Sequence, residues 1–255
     1  MNRILKYVIL DIIKNKIVIF YTIMIALFSW SSFSLEDNAA KGLLTLLNII
    51  LLIVPLVSIL FSTIYIYNSS EFIELLVSQP IKRSKIWYSL FAGLAISLSF
   101  AFILGAGIPI VVFADFSKAF IMIMVGILIT IIFVSLAFLS SILSRDKAKG
   151  IGASILLWLY FALLFDGLVL FLLFQFSDYP IEKMMVFITA LSPIDLSRIL
   201  MLLQLDVSAM LGYTGAIFND FFGTHLGLIL SFLLLLLWII IPFFISLKKF
   251  KHKDL

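Results

Sequence analysis

Six long apolar runs joined by short polar segments leave this sequence little choice of fold. They cover residues 17–35, 43–67, 86–113, 119–143, 150–176 and 225–247. Each reaches the roughly 20 apolar residues that an α-helix needs to cross a hydrocarbon layer about 30 Å thick. The runs are continuous and lack the period-2 alternation of transmembrane strands. In lipid, a helix satisfies its backbone hydrogen bonds within one segment. The fold class expected is therefore an all-α integral membrane protein with six transmembrane helices, built as a single domain over 1–255. Composition agrees: 64% of the 255 residues are hydrophobic and 13% are charged, whereas soluble domains sit near half apolar. Cysteine is absent, which excludes disulfides and thiolate metal sites. The first apolar run follows a basic segment without a small-x-small cleavage site, so it reads as a retained span and not a signal peptide.

Charge sets the orientation. Fourteen of the eighteen Lys and Arg fall in four segments: Arg3, Lys6, Lys14 and Lys16; Lys82, Arg83 and Lys85; Arg145, Lys147 and Lys149; Lys248, Lys249, Lys251 and Lys253. Lys41, Lys118, Lys183 and Arg198 fall in the alternate joints. The positive-inside rule places both termini in the cytoplasm and segment 177–223 outside, in a cytoplasmic (inner) membrane. The same distribution explains the net charge of +4 without a nucleic-acid partner.

Local patterns add detail. Ile4, Leu5, Val8, Ile9 and Ile12 recur at helical spacing among the N-terminal cations, which predicts an amphipathic helix on the inner membrane face. Pro55 should kink the second span. Gly93, Gly105, Gly107 and Pro109 in the third allow close helix approach or a bend. In the outer segment, Ser192, Pro193 and Asp195 are spaced as a cap, a first helical residue and a first-turn acid. They predict a short helix lying at the outer interface or dipping back into it.

Two places could carry function. The stretch 68–85 mixes polar and apolar residues between the second and third spans. Phe72, Leu75 and Leu76 fall on one expected face, with Glu71, Glu74 and Gln79 elsewhere. Pro80 ends the helix, and Lys82, Arg83 and Lys85 sit at headgroup level. An ordinary loop with a helical turn fits this pattern, and so does a docking helix for a cytoplasmic partner. The other place is Asp166, the only carboxylate well inside an expected span. A charge there is costly, so it should face protein or water, or be protonated. It is a candidate pathway or dimer-interface group, or else a structural acid held near Trp158 or Tyr160.

Other chemistry finds little support. Met184, Met185, Met201 and Met210 offer thioethers of the kind that suit Cu(I), but in a Leu-rich region such residues pack. His225 and His252 lie on opposite sides, so no metal site and no catalytic residues are expected. There is no Gly-x-x-x-x-Gly-Lys-Ser/Thr phosphate loop and no soluble segment large enough for a nucleotide. An intramembrane enzyme would need converging reactive groups on several spans. A proton-driven secondary transporter would bring repeated halves or several buried charges.

With six spans, an amphipathic N-terminal helix and the run from Ser70, Glu71 and Phe72 through Pro80 to Arg83, the chain resembles an ABC-2 type permease. The resemblance implies that this run is a coupling helix seated in a cleft of a separate ATPase, with Glu71, Phe72, Glu74, Leu75, Gln79, Pro80 and Arg83 as coupling residues. Phe72 and Leu75 would fill the cleft, and the two glutamates would meet basic groups. It further implies a homodimer with two ATPase copies, ATP and Mg held by those copies, and no cofactor on this chain. Residues 191–200, 212–218, and 158–161 leading to Asp166 are similar to the permeases of nitrous-oxide reductase copper-site maturation. That likeness implies a sulfur-species or copper cargo. It also implies a periplasmic β-helix accessory protein docking on the outer segment, with Asp195, Arg198, Met201 and Met210 as contacts. A permease for another cargo, such as an ion, a drug or a lipid, is the alternative.

Overall fold

The computed structural model of the protein describes residues 2–36, 38–176, 187–204 and 225–252. Its helices are α1 (Asn2–Ile13), α2 (Lys16–Leu35), α3 (Ala39–Asn68), α4 (Ser70–Val77), α5 (Arg83–Phe102), α6 (Ile108–Phe113), α7 (Phe116–Leu143), α8 (Lys147–Leu159), α9 (Phe165–Gln175), α10 (Pro193–Gln204) and α11 (His225–His252). Five-residue π turns join α5 to α6 (Ile103–Gly107) and α8 to α9 (Tyr160–Leu164). Among the described residues there is no strand. Six helical stretches are long and apolar enough to cross a membrane: α2, α3, α5–α6, α7, α8–α9 and α11. The sixth runs on through Lys248 to His252, residues expected to form a basic tail. Met184, Met185, Met210 and residues 212–218 lie outside the described residues.

Short polar joints start the spans. The Asn15 side chain accepts from the Ile17 amide at 2.9 Å, and Asn38 accepts from Ala40 at 3.0 Å. Asp146 accepts from Ala148 at 2.7 Å and Lys149 at 3.2 Å. Each cap satisfies amides that the first helical turn leaves without partners. Pro55 leaves α3 continuous. Its missing N–H and its ring remove the helical bond to the Leu51 carbonyl, and next to that carbonyl Trp158 Nε1 donates to Leu52 O at 3.1 Å. A side chain of the fifth span is thereby tied to the backbone of the second.

The fourth span is the core, with α3, α5 and α11 packed around it. Its Ile129, Ile132, Phe133, Val134, Ala137 and Phe138 are fully buried. Lipid tails are as apolar as these side chains, so shape and hydrogen bonds decide which helices pair. Three hydroxyls illustrate this: Ser154 Oγ lies 2.7 Å from both Thr63 Oγ1 and Ser140 Oγ, joining spans five, two and four. Gly105 shows the shape term. A Cβ there would strike Ile25 Cγ2 and stand 2.8 Å from the Thr22 carbonyl oxygen, a backbone atom of the first span that cannot swing aside. Gly105→Val is expected to cost about 1–3 kcal/mol through overpacking, seen as a lowered thermal-melting midpoint of the purified protein.

The ends of the bundle sort as the charge pattern expects. Lys147 Nζ donates to Asn68 Oδ1 at 2.7 Å, and Tyr67 donates to the Ser144 carbonyl at 3.0 Å. Trp87 donates to Ser246 Oγ at 3.1 Å and stacks on Phe250 at 4.2 Å. The 2–3 joint, the 4–5 joint and the C-terminal helix end therefore share one end. At the other end Phe113 packs on Trp30 and Phe33. The N-terminal helix packs against the bundle. Its Val8 and Ile12 are wholly buried, and Gly93 of α5 makes room for Val8.

Candidate functional site

At the end that gathers the 2–3 and 4–5 joints, α4 is eight residues long and stops before the Pro80 expected to end it. Ser78 closes it, with its amide donating to Glu74 O at 3.0 Å and its hydroxyl to Leu75 O at 2.8 Å. The expected apolar face is corrected. Ile73 and Leu76, 5% and 7% exposed, face the bundle, while Leu75 is 65% exposed. Phe72 is half-buried against Tyr7 of α1, ring centroids 5.3 Å apart. The physical reason lies in the run SEFIELLV, where five of eight residues are apolar. One helical stripe cannot hold all five, so the bundle takes the pair three apart that reaches it. What remains outside is a continuous strip of Glu71, Glu74, Leu75, Ser78, Gln79 and Pro80. Arg83, expected to couple with the strip, donates to the Lys251 carbonyl at 3.3 Å. Behind α4 a cleft of about 280 Å³ is lined by Tyr67, Ile73, Glu74, Trp87 and Arg145, among others.

The N-terminal helix supports this region through residues that sequence reasoning missed. Tyr65, near the end of the second span, donates to Asp11 Oδ2 at 3.0 Å. Together with the Tyr7–Phe72 contact, this ties α1 to both sides of the joint before α4. A signal existed: Asp11 is the sole acid in an otherwise apolar and basic amphipathic helix.

Deeper in the bundle the structure brings Asp166, Asp195 and Arg198 together. Arg198 Nη1 lies 2.9 and 2.8 Å from the two Asp166 carboxylate oxygens and 3.2 Å from Asp195 Oδ1. The fold builds this meeting from both sides. The π turn at Tyr160–Leu164 inserts one residue's worth of turn just before Asp166. On the other side α10 starts as its sequence predicts, with Ser192 Oγ accepting from the Asp195 amide at 3.2 Å. α10 dips into the bundle against α3, α7 and α11. The chain just before it reaches Trp238, midway along α11, whose Nε1 donates to the Ala190 carbonyl at 3.3 Å. The expected neighbours of Asp166 are corrected too: Trp158 serves Leu52, and Tyr160 packs on Phe161 and Phe165.

Burial also bears on the expected outer contacts. Met201 is fully buried and Asp195 is 7% exposed, so their side chains are out of reach of a partner docking on the surface. Packing against spans two, four and six is the reason. Arg198 is partly exposed but spent on the two acids. Among the described residues no three His, Cys, Asp or Glu side chains gather as metal ligands would.

Comparison with known proteins gives the same outline. The description "ABC-2 family transporter protein" matches residues 4–255. The chain is also 27% identical over 169 residues to the "Probable ABC transporter permease protein NosY" of Pseudomonas aeruginosa, an alignment covering 62% of this chain and 62% of that protein. The matched part thus spans less than two thirds of that relative's length.

Proposed function

This chain belongs to the ABC-2 family of transporter proteins, and on that footing we propose that it is the non-catalytic membrane subunit of a transporter driven by a separate ATPase that docks on α4. The observation that carries this reading is the division of labour on α4. Ile73 and Leu76 are locked into the bundle, while Glu71, Glu74 and Leu75 on the helix and Gln79 and Pro80 just beyond it are left exposed. An exposed leucine ringed by polar groups is the form of an interface anchor. Movement of a docked α4 would travel through Ile73 and Leu76 into the spans, and through Phe72 and Tyr7 into α1, as rigid elements repack.

The rest of the assembly follows in the same reading. The whole of 1–255 acts as one transmembrane domain in a cytoplasmic membrane, with both termini and α4 in the cytoplasm. Two copies pair, each with one ATPase that holds ATP and Mg. The thinly covered fifth span, 17% buried against 61% for the fourth, leaves room for a second copy. A periplasmic β-helix accessory protein meets the outer side. The cargo, a sulfur species or copper, serves copper-site assembly in nitrous-oxide reductase, as the likeness to the NosY permease suggests. The test is complementation: this chain with its ATPase, expressed in a denitrifying host that lacks its own permease, restores the visible copper-centre spectrum of nitrous-oxide reductase. A reductase that stays copper-deficient while the complex hydrolyses ATP would move the cargo to another ion, drug or lipid.

A further inference from the structure

Two carboxylates and one guanidinium meet where α10 lies against the fifth span. With all three ionised, the cluster carries one surplus negative charge. Asp195 Oδ2 is buried and has no hydrogen-bond partner, while the Asp166 carboxyl stands within hydrogen-bonding reach of Asp195. A buried ionised oxygen without a donor is costly. A proton on it removes the surplus charge and turns the oxygen into a donor toward Asp166. The groups that act on Asp195 are Asp166 from the fifth span, and Arg198 and Ser192 beside it; none comes from α3, α7 or α11. Tyr160, on the π turn, faces Phe161 and Phe165 instead.

We propose that Asp166, Asp195 and Arg198 form a proton-binding latch between α10 and the fifth span. One proton, taken from water and held between the two carboxyl groups, keeps α10 fastened; its return to water leaves an uncompensated negative charge that loosens the contact. The described residues do not close the cluster off: Asp166 is about one-third exposed at its side chain, and a Cβ on neighbouring Gly167 would meet nothing within 4 Å. Burial first, and then the contact with Asp166, pushes the Asp195 carboxyl up to about 7. A raised carboxyl stabilises through its protonated form. The latch is therefore fully set below the ordinary carboxylate value of 3.8 and fades as pH rises through about 7.

The test needs this chain alone, so its failure is separate from any failure of the ATPase reading. Infrared titration of the purified full chain in lipid nanodiscs should show a protonated-carboxyl C=O band that disappears as pH rises through neutrality. The component that titrates near neutrality should be missing in Asp195→Asn, shifted in Asp166→Asn, and retained in Asp195→Glu, which keeps the titrating group should the amide fail to fold. The chain has no cysteine, so Leu191→Cys at the turn before α10 can be labelled cleanly. Its maleimide rate, divided by that of Leu35→Cys to remove the thiol's own titration, should rise several-fold across neutrality and stay flat in Asp195→Asn. A folded wild-type chain without that component, a component that survives Asp195→Asn, or a flat labelling ratio would overturn the latch.

Discussion

Replacing Leu75 with Asp should leave the protein folded and weaken its hold on the ATPase about thirtyfold. Leu75 is 65% exposed, so its loss removes little packing, and melting should be unchanged. In an interface, truncating a central apolar anchor costs about 2 kcal/mol or more, and each 1.4 kcal/mol is about tenfold in affinity. The new carboxylate also sits beside Glu71 and Glu74, adding a third negative charge to one turn and requiring desolvation in the cleft. Titrating the ATPase against nanodisc-embedded protein measures the change. Ile73→Asp is the informative contrast. Ile73 is 5% exposed, so that variant should lose stability before it loses affinity.

Replacing Arg198 with Leu should destabilise the bundle by roughly 2–3 kcal/mol. Removing one partner of a buried ion pair strands the other, at about 3–5 kcal/mol when fully buried. The pair with Asp166 is about one-third exposed, 30% and 35% at the two side chains, which discounts that figure. Two acids would then face each other with no cation. A lowered melting midpoint, partly recovered in acid as Asp195 takes up a proton, is the expected readout. Arg198→Lys should recover much of the loss, because all three short contacts to the acids come from one nitrogen, Nη1, which an ammonium can replace as a point charge.

The spans were legible because a bilayer demands long apolar runs, and which joints share an end was legible because charge groups them. A local cap was also readable, as Ser192 shows. Sequence reasoning failed where several residues competed for one role. Phe72, Ile73, Leu75, Leu76 and Val77 are all apolar, and only the shape of the bundle says that Ile73 and Leu76 go inward. It also failed where partners are distant in the chain. Asp166 and Arg198 are 32 residues apart, and no local pattern joins them. The cost of an unpaired charge in an apolar bundle was the one argument that could have matched a lone acid to an Arg in the next segment. Trp158 and Leu52 escaped for the same reason, since donor and acceptor lie on different spans.

Docking on the outer strip of α4 is tested most directly by a photo-crosslinking residue placed at Leu75 in the co-expressed complex. The predicted result is an adduct between this chain and the ATPase, formed in high yield from position 75. The same probe at Leu35, which is 81% exposed at the opposite end of the bundle, should give none. No ATPase adduct from Leu75, or an equal one from Leu35, would contradict the assignment of α4 as the joint through which ATP hydrolysis reaches the membrane.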